Sequence, residues 1–111
     1  MIDVCYYLCM RAIVHPSLSE IPVHQMMHAL ASPVRLAVVK ELLDGQVHQG
    51  SEFDFGVGQS TLSHHVKILR EAGIVHNDPE GTRCLMSLRA AELDERFPGF
   101  VEQLRVLSAA D

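Results

Sequence analysis

The sequence lacks any uninterrupted apolar run near the roughly 20 residues that a membrane-spanning helix needs. Its first stretch, Met1 to Val14, is apolar with one arginine, but no basic stretch precedes it as in a secretion signal. We therefore expect no membrane segment, no secretion signal and a cytoplasmic location. A chain of 111 residues has room for one domain, since domains run to roughly 100–200 residues.

Cysteines are few and include no Cys-x-x-Cys pair. Cys5, Cys9 and Cys84 are an odd number, which does not suit a disulfide framework. We expect them to be reduced thiols, as is usual in the cytoplasm. Met10 is an alternative start that would remove Cys5 and Cys9 from the protein. We interpret residues 1–15 as an N-terminal extension and residues 16–111 as the folded domain.

Positive charge is scarce, and so are catalytic motifs. Nine Lys and Arg oppose 14 Asp and Glu, and the net charge of −5 argues against a non-specific polyanion binder. The sequence contains no P-loop, no GxGxxG and no HExxH. Ser63 and His64 are neighbours that face apart on a helix, so they form no nucleophile–base pair. The sequence therefore predicts a protein that is not an enzyme.

Helical patterns fill the first two thirds of the chain. An apolar stripe at i, i+3, i+4 and i+7 indicates a first helix after Pro22; its members are Val23, Met26, Met27 and Leu30. Ser32-Pro33 is typical of a second helix start, and Gly45 of its end. Ser60 is placed to cap a third helix, with Gly73 as its stop.

The period changes from helical to alternating after the third helix. Two alternating runs, Ile74–Asn77 and Thr82–Leu88, flank the turn signal Asp78-Pro79-Glu80-Gly81. This pattern predicts a β-hairpin with its tip at Pro79–Gly81. Residues Ala90 to Ala110 look helical, with a break at Phe97-Pro98-Gly99.

The order of these elements indicates a DNA-binding fold. Gln46 to Phe55 fits a short helix or an irregular turn, and Gly56-Val57-Gly58 fits a tight turn. A short element, a glycine turn and a capped helix make a helix-turn-helix, and a hairpin directly after it makes a wing. The predicted fold is therefore mainly α with a small β-hairpin, a winged helix-turn-helix. The recognition helix is expected near 60–72 and the wing near 76–86.

Small polar side chains on the third helix suit a DNA groove. A major groove admits one α-helix, and short hydroxyl side chains let its backbone approach closely. Residues 59–89 carry four Lys or Arg against three Asp or Glu, whereas the segments on either side are each net negative. The alternative interpretation is that Ser60–Arg70 is only the solvated face of an amphipathic helix.

Two separated motifs resemble a known family. Ser60 to Val75 closely resembles the recognition helix of ArsR/SmtB-type winged-helix repressors. Ala29 to Leu36 resembles the signature across that family's first two helices, and Glu80-Gly81-Thr82-Arg83 lies where the family has its wing tip. The resemblance covers about residues 16–105. It implies a homodimer, formed by the first and last helices, that binds a palindromic operator and usually represses transcription.

The resemblance also implies which residues bind DNA and which form the dimer. The expected DNA contacts are Gln59, Ser60, Thr61, Ser63, His64 and Lys67 on the helix and Arg83 on the wing. The expected dimer interface comprises Val23, Met26, Met27, Leu30, Phe100, Val101, Leu104 and Leu107. One of the two histidines 64 and 65 should point outward, and a cationic His64 would strengthen DNA binding as the pH falls.

The family's standard metal sites do not transfer to this sequence. Gly50 to Phe55 has no cysteine for an arsenic-type Cys-x-Cys site, and the last helix has no histidine for a zinc-type site. We therefore expect no cofactor. Cys5 and Cys9, four residues apart, remain candidates for binding a soft metal or sensing an oxidant. Cys84, on the wing strand, is expected to be a small packed residue. His24 and His28 share the same spacing and are candidates for zinc, but two ligands are too few and a carboxylate from a partner chain would have to complete the site.

The alternative function is protein binding. Winged helices also serve as interaction modules, and the net charge of −5 suits a module that does not bind DNA. Salt dependence separates the two functions, because phosphate contacts make DNA affinity fall steeply as salt rises.

Overall fold

The computed structural model describes residues 15–80 and 83–110, without the side chains of residues 51, 79, 80 and 83. Within these ranges the helices are α1 (Val23–Leu30), α2 (Pro33–Leu42), α3 (Gln59–Glu71), α4 (Ala90–Arg96) and α5 (Phe100–Ala109). The strands are β1 (His48–Gln49), β2 (Val75–Glu80) and β3 (Arg83–Leu88). Short 3-10 helices at Leu18–Glu20 and Gly50–Glu52 complete the order. The predicted winged helix-turn-helix is confirmed, with one strand more than expected.

Most helix boundaries follow local signals in the sequence. Ser32 caps α2, because its Oγ accepts a hydrogen bond from the backbone N–H of Arg35 at 3.4 Å. The break at Phe97–Gly99 separates α4 from α5 as predicted. The prediction that Ser60 caps the third helix is wrong. Gly58 holds that position, so Ser60 lies inside the first turn of α3.

The wing is a hairpin that is longer than predicted. β2 pairs antiparallel with β3 from Val75 opposite Leu88 to Glu80 opposite Arg83. Pro79 was expected at the tip but lies in β2, opposite Cys84. The strand order β1-β3-β2 places β2 at the sheet edge, where a missing backbone N–H is tolerated. Residues 81 and 82, which connect the strands, are outside the described ranges.

The sequence did not predict the third strand. His48 pairs with Met86 and Gln49 with Leu85, so β1 extends the sheet on the other side of β3. The segment Gln46–Phe55 therefore contains a short helix, one of the two alternatives that we expected, in 3-10 form, together with a strand that neither alternative included. Two residues are too few for an alternating pattern to be visible.

The core lies where α3 meets α1, α2 and β2. Its fully or nearly fully buried members include Met26, Val38, Leu42, Leu62, Val66, Leu69, Met86 and Leu93. Each buried side chain of this size stabilises the fold by roughly 1.5–3 kcal/mol. This packing holds α3 by one face and leaves the other to solvent. No helix in the described ranges is long and apolar enough to cross a membrane.

The segment before α1 is attached to the wing side of the domain. Arg89 Nη1 donates to the Pro16 carbonyl at 2.8 Å, and Arg96 Nη1 donates to the Leu18 carbonyl. The ring of His15 stacks on that of His76 in β2, with centroids 4.1 Å apart. His15, which we assigned to the extension, thus contacts the folded domain.

Candidate nucleic-acid interface

The outer face of α3 presents short polar and cationic side chains. Leu62, Val66 and Leu69 point into the core. Ser60, Thr61, His64 and Lys67 are exposed on the opposite side. No side chain among the described residues caps the first turn of α3, so its backbone N–H groups remain available to an anion. The face therefore offers hydroxyl groups, a ring nitrogen, backbone N–H groups and an ammonium group.

Two of the expected helix contacts lie away from the open face. Ser63 is only 3% exposed, because position 63 falls beside the core residues Leu62 and Val66. The structure therefore contradicts the prediction that Ser63 contacts DNA. Gln59 is half-buried, and its amide nitrogen has no hydrogen-bond partner among the described residues. Its place at the start of α3 keeps it next to Ser60.

The charge of Lys67 is only loosely compensated. Its Nζ lies 3.9 Å from Oε1 of Glu71, one turn later, and both side chains are half exposed. Exposed pairs of this kind contribute roughly 0.2–1 kcal/mol, so a phosphate group can compete for the lysine. Glu71 places a negative charge at the C-terminal end of the same face.

The wing supplies a second surface beside α3. Arg83 is the first residue of β3, at the end of the hairpin far from the core. Its side chain lies outside the described part of the chain, so its expected contact with DNA stays a prediction. At the base of the wing the N–H of Asn77 donates to His15 Nε2 at 3.1 Å. Burial, and then the neighbouring His76, lower the pKa of His15.

The expected dimer residues divide into core and surface. Met26, Val101 and Leu104 are almost completely buried within the single chain and present little surface to a partner, so their place in the dimer interface stays a prediction. Met27 is 58% exposed and Leu107 is 64% exposed. Both line an open apolar groove of about 720 Å³ between α1, α2 and α5, together with Leu30, Leu36 and Leu104. Val23 and Phe100 line a smaller pocket of about 300 Å³ on the other side of Met27.

The metal candidates have different surroundings. His24 and His28 are exposed on α1. No group of three His, Cys, Asp or Glu side chains that could hold a metal ion occurs within residues 15–80 and 83–110. Cys5 and Cys9 lie outside the described residues.

Cys84 is not a reduced thiol in the structure. It is buried in β3 and disulfide-bonded. Our expectation of reduced cysteines is therefore wrong for this residue. An odd number of cysteines excludes complete pairing but allows one bond.

Arg35 and His65 were missed as site residues. Arg35 is buried, and its Nη1 lies 3.0 Å from Nδ1 of His65, on the flank of α3. His64 beside it is exposed, so the expectation that one of the two histidines points outward is confirmed. A possible signal was the arginine of Ser-Pro-Val-Arg, which stands among apolar residues in the first turn of α2.

Comparison with known proteins supports the same fold. The family model described as "Bacterial regulatory protein, arsR family" matches residues 32–77, from the start of α2 into the wing. The "Biofilm growth-associated repressor" of Xylella fastidiosa is 43% identical over 54 residues, 48% of this chain and 47% of the relative. The chain thus spans about half the length of the first curated relatives it matches.

Two further matches extend over most of the length of the matched protein. The "Uncharacterized HTH-type transcriptional regulator YceK" of Bacillus subtilis is 32% identical over 87 residues, 72% of this chain and 83% of the relative. The crystal structure of the transcriptional repressor BigR from Xylella fastidiosa superposes with a TM-score of 0.59. It is 30% identical and covers 77% of this chain and 84% of that one.

Proposed function

The chain belongs to the ArsR family of bacterial regulatory proteins, and from this premise we propose that it is a sequence-specific DNA-binding transcriptional regulator. The observation that supports the proposal most directly is the exposed face of α3. Ser60, Thr61, His64 and Lys67 stand on one side of a helix whose other side is fixed in the core. Such a helix can enter a major groove without rearrangement.

The proposed contacts differ in what they do. Lys67 and the backbone N–H groups at the start of α3 bind phosphate oxygens and set the position of the helix. Thr61 and His64 reach base edges, while Gln59 and Ser60 lie where the helix enters the groove. Arg83 at the far end of the wing binds the adjacent backbone or minor groove. Ser63 is left out because it is buried.

We further propose that the protein is a homodimer and a repressor. The exposed Met27 and Leu107 line a groove that a second copy would cover. Two copies related by a two-fold axis present two α3 helices, which favours a palindromic operator. The repressors among the matched proteins support repression as the outcome. A regulator of transcription acts on the chromosome, so we place it in the cytoplasm.

Binding to labelled DNA tests this function. Fluorescence anisotropy is measured with the duplex immediately upstream of the protein's own gene and with a scrambled duplex, at several salt concentrations. We expect preference for the upstream duplex and a steep loss of affinity as salt rises. Equal weak binding to both duplexes, or none, would favour the alternative of a winged helix that binds protein.

A further inference from the structure

Arg35 joins the end of α1 to the start of α2. The side chain is 7% exposed. Its Nε donates to the Ala29 carbonyl at 2.6 Å, and its Nη2 donates to the His28 carbonyl at 3.2 Å. Both carbonyls belong to the last turn of α1, where a cation is favoured; that of His28 also accepts from the backbone N–H of Ala31 at 3.1 Å. The guanidinium group is therefore fixed in place by α1.

The remaining edge of the guanidinium group faces α3. Arg35 Nη1 lies 3.0 Å from Nδ1 of His65. Arginine has donors only, so Nδ1 must be the nitrogen that accepts, and the ring is neutral with its proton on Nε2. One buried side chain thus links α1, α2 and the proposed recognition helix.

The surroundings of His65 oppose its protonation. Burial, then the charge of Arg35, then His64 lower the pKa of His65. Among the described residues, the charged or titratable groups that act on it are Arg35 from α2 and His64 from its own helix. From α1, backbone carbonyls accept hydrogen bonds from Arg35. The neutral amide of Gln25 in α1 donates through Nε2 to the Glu71 carbonyl of α3 at 3.2 Å. A proton on Nδ1 would remove the acceptor and place two cations 3.0 Å apart.

We propose that Arg35 and His65 are positioning residues that hold α3 in its DNA-reading orientation only while His65 is neutral. The predicted effect on DNA binding rests on the proposed function, whereas the orientation of α3 by the bond between Arg35 and His65 does not. His64 and Lys67, on the same rigid helix, move with His65. Protonation of His65 therefore weakens DNA binding, in the direction opposite to that expected for His64.

Two variants, each compared with the same parent, separate the positioning role from simple packing. Both are made in a His64→Gln parent, because His64 is an exposed imidazole on the proposed DNA face and its own contacts would overlie the effect of His65. His65→Asn keeps an acceptor oxygen near the Nδ1 position but does not titrate, while His65→Ala removes the acceptor. Circular dichroism checks that each variant is folded. DNA affinity is then measured by anisotropy from about pH 8 to about pH 5.

The expected results differ for each variant. The His64→Gln parent loses up to about tenfold in affinity for each pH unit below the pKa of His65. The variant with His65→Asn shows no such loss, and the one with His65→Ala binds more weakly throughout and shows no loss either. A loss with His65→Asn equal to that of the parent would overturn the proposal.

A measurement without DNA makes failure of the two proposals distinguishable. NMR of ¹⁵N-labelled protein reports which ring nitrogen of His65 carries the proton, together with the backbone amides of α3. We expect an unprotonated Nδ1 at neutral pH, and α3 amide shifts on acidification that His65→Asn abolishes. A protonated Nδ1, or the same shifts with His65→Asn, would overturn the positioning role. If the NMR results are as expected but the protein binds no DNA at any pH, the positioning role is supported and the proposed function is overturned.

Discussion

Ile21 packs directly against the backbone of Gly73, just before the wing. A Cβ atom at Gly73 would lie 2.4 Å from Cδ1 of Ile21 and 2.7 Å from Cδ2 of Leu18. Gly73 also has a φ of +77°, a conformation that favours glycine. This contact fixes the segment before α1 against the turn that leads from the proposed recognition helix into the hairpin.

Gly73→Ala should therefore destabilise the protein by roughly 3 kcal/mol or more, since backbone strain and overpacking add. Gly45 provides a matched control, because its φ is +76° and nothing lies within 4 Å of its added Cβ. Gly45→Ala should cost only the backbone strain, about 1–2 kcal/mol. Urea unfolding monitored by circular dichroism measures both free energies of unfolding. Equal losses would show that the packing of Ile21 on Gly73 is unimportant.

Lys67→Ala should weaken DNA binding and flatten its salt dependence. A lysine that binds one phosphate adds about one unit to the slope of log affinity against log salt, and its removal should subtract about that much. Lys40→Ala is the control for loss of a positive charge away from α3, since Lys40 lies on α2 among the residues that line the groove; its mass in solution is checked to be that of the wild type. Anisotropy at several salt concentrations gives both slopes. A slope unchanged by Lys67→Ala would argue against a phosphate contact there.

Met27→Lys or Leu107→Lys should convert the proposed dimer into a monomer. Each substitution places a charge in the apolar groove that a second copy would cover, and a buried unpaired charge is strongly unfavourable. Val47→Lys is the matched control, because Val47 is also exposed but lies between α2 and β1. Sedimentation velocity measures the mass in solution. A monomeric wild-type protein at micromolar concentration would contradict the dimer.

His48 should stabilise the fold more in mildly acidic than in alkaline solution. Its Nδ1 lies 3.0 Å from Oε2 of Glu52 and its Nε2 2.9 Å from Oδ2 of Asp44. The hydrogen bond to Glu52 raises the pKa of His48 most, and the bond to Asp44 raises it further. A raised pKa means that the stabilisation is complete below the unfolded value of about 6.5 and is lost as the pH rises through the folded value.

The test compares His48→Gln with the wild type by urea unfolding at about pH 6 and about pH 9. The loss of stability should be larger at the lower pH, where the wild-type imidazolium contacts both carboxylates. His24→Gln, at an exposed site on α1, serves as the control for replacing a histidine elsewhere on the surface. A His48→Gln loss that is the same at both pH values would show that His48 acts without its charge.

Much of the fold was predictable because its signals are local. Ser32-Pro33, Gly73 and Phe97–Gly99 mark boundaries through backbone preferences that act within a few residues. The strand β1 was not predictable, because two residues carry no periodicity and pair with β3 far along the chain. Pro79 misled the hairpin prediction, because proline is typical of a turn and is tolerated in a strand only at a sheet edge. Only the sheet order shows that its strand is at an edge.

The site was predictable in outline but not in detail. The polar pattern of α3 indicated the exposed positions Thr61, His64 and Lys67. It could not show that Ser63 faces the core, because a small polar residue fits either side of a helix. The bond between Arg35 and His65 joins residues 30 positions apart. Long-range contacts of this kind depend on the packing of α2 on α3.

The most direct test of the central claim is to map the DNA-binding surface. Amide chemical shifts of ¹⁵N-labelled protein are recorded while the upstream duplex is added. We expect the largest changes at Ser60, Thr61, His64 and Lys67 and in the wing strands, with little change around Leu36 and Ala37 in the groove. Changes confined to the groove, or no changes at saturating DNA, would contradict the assignment of α3 as the recognition helix.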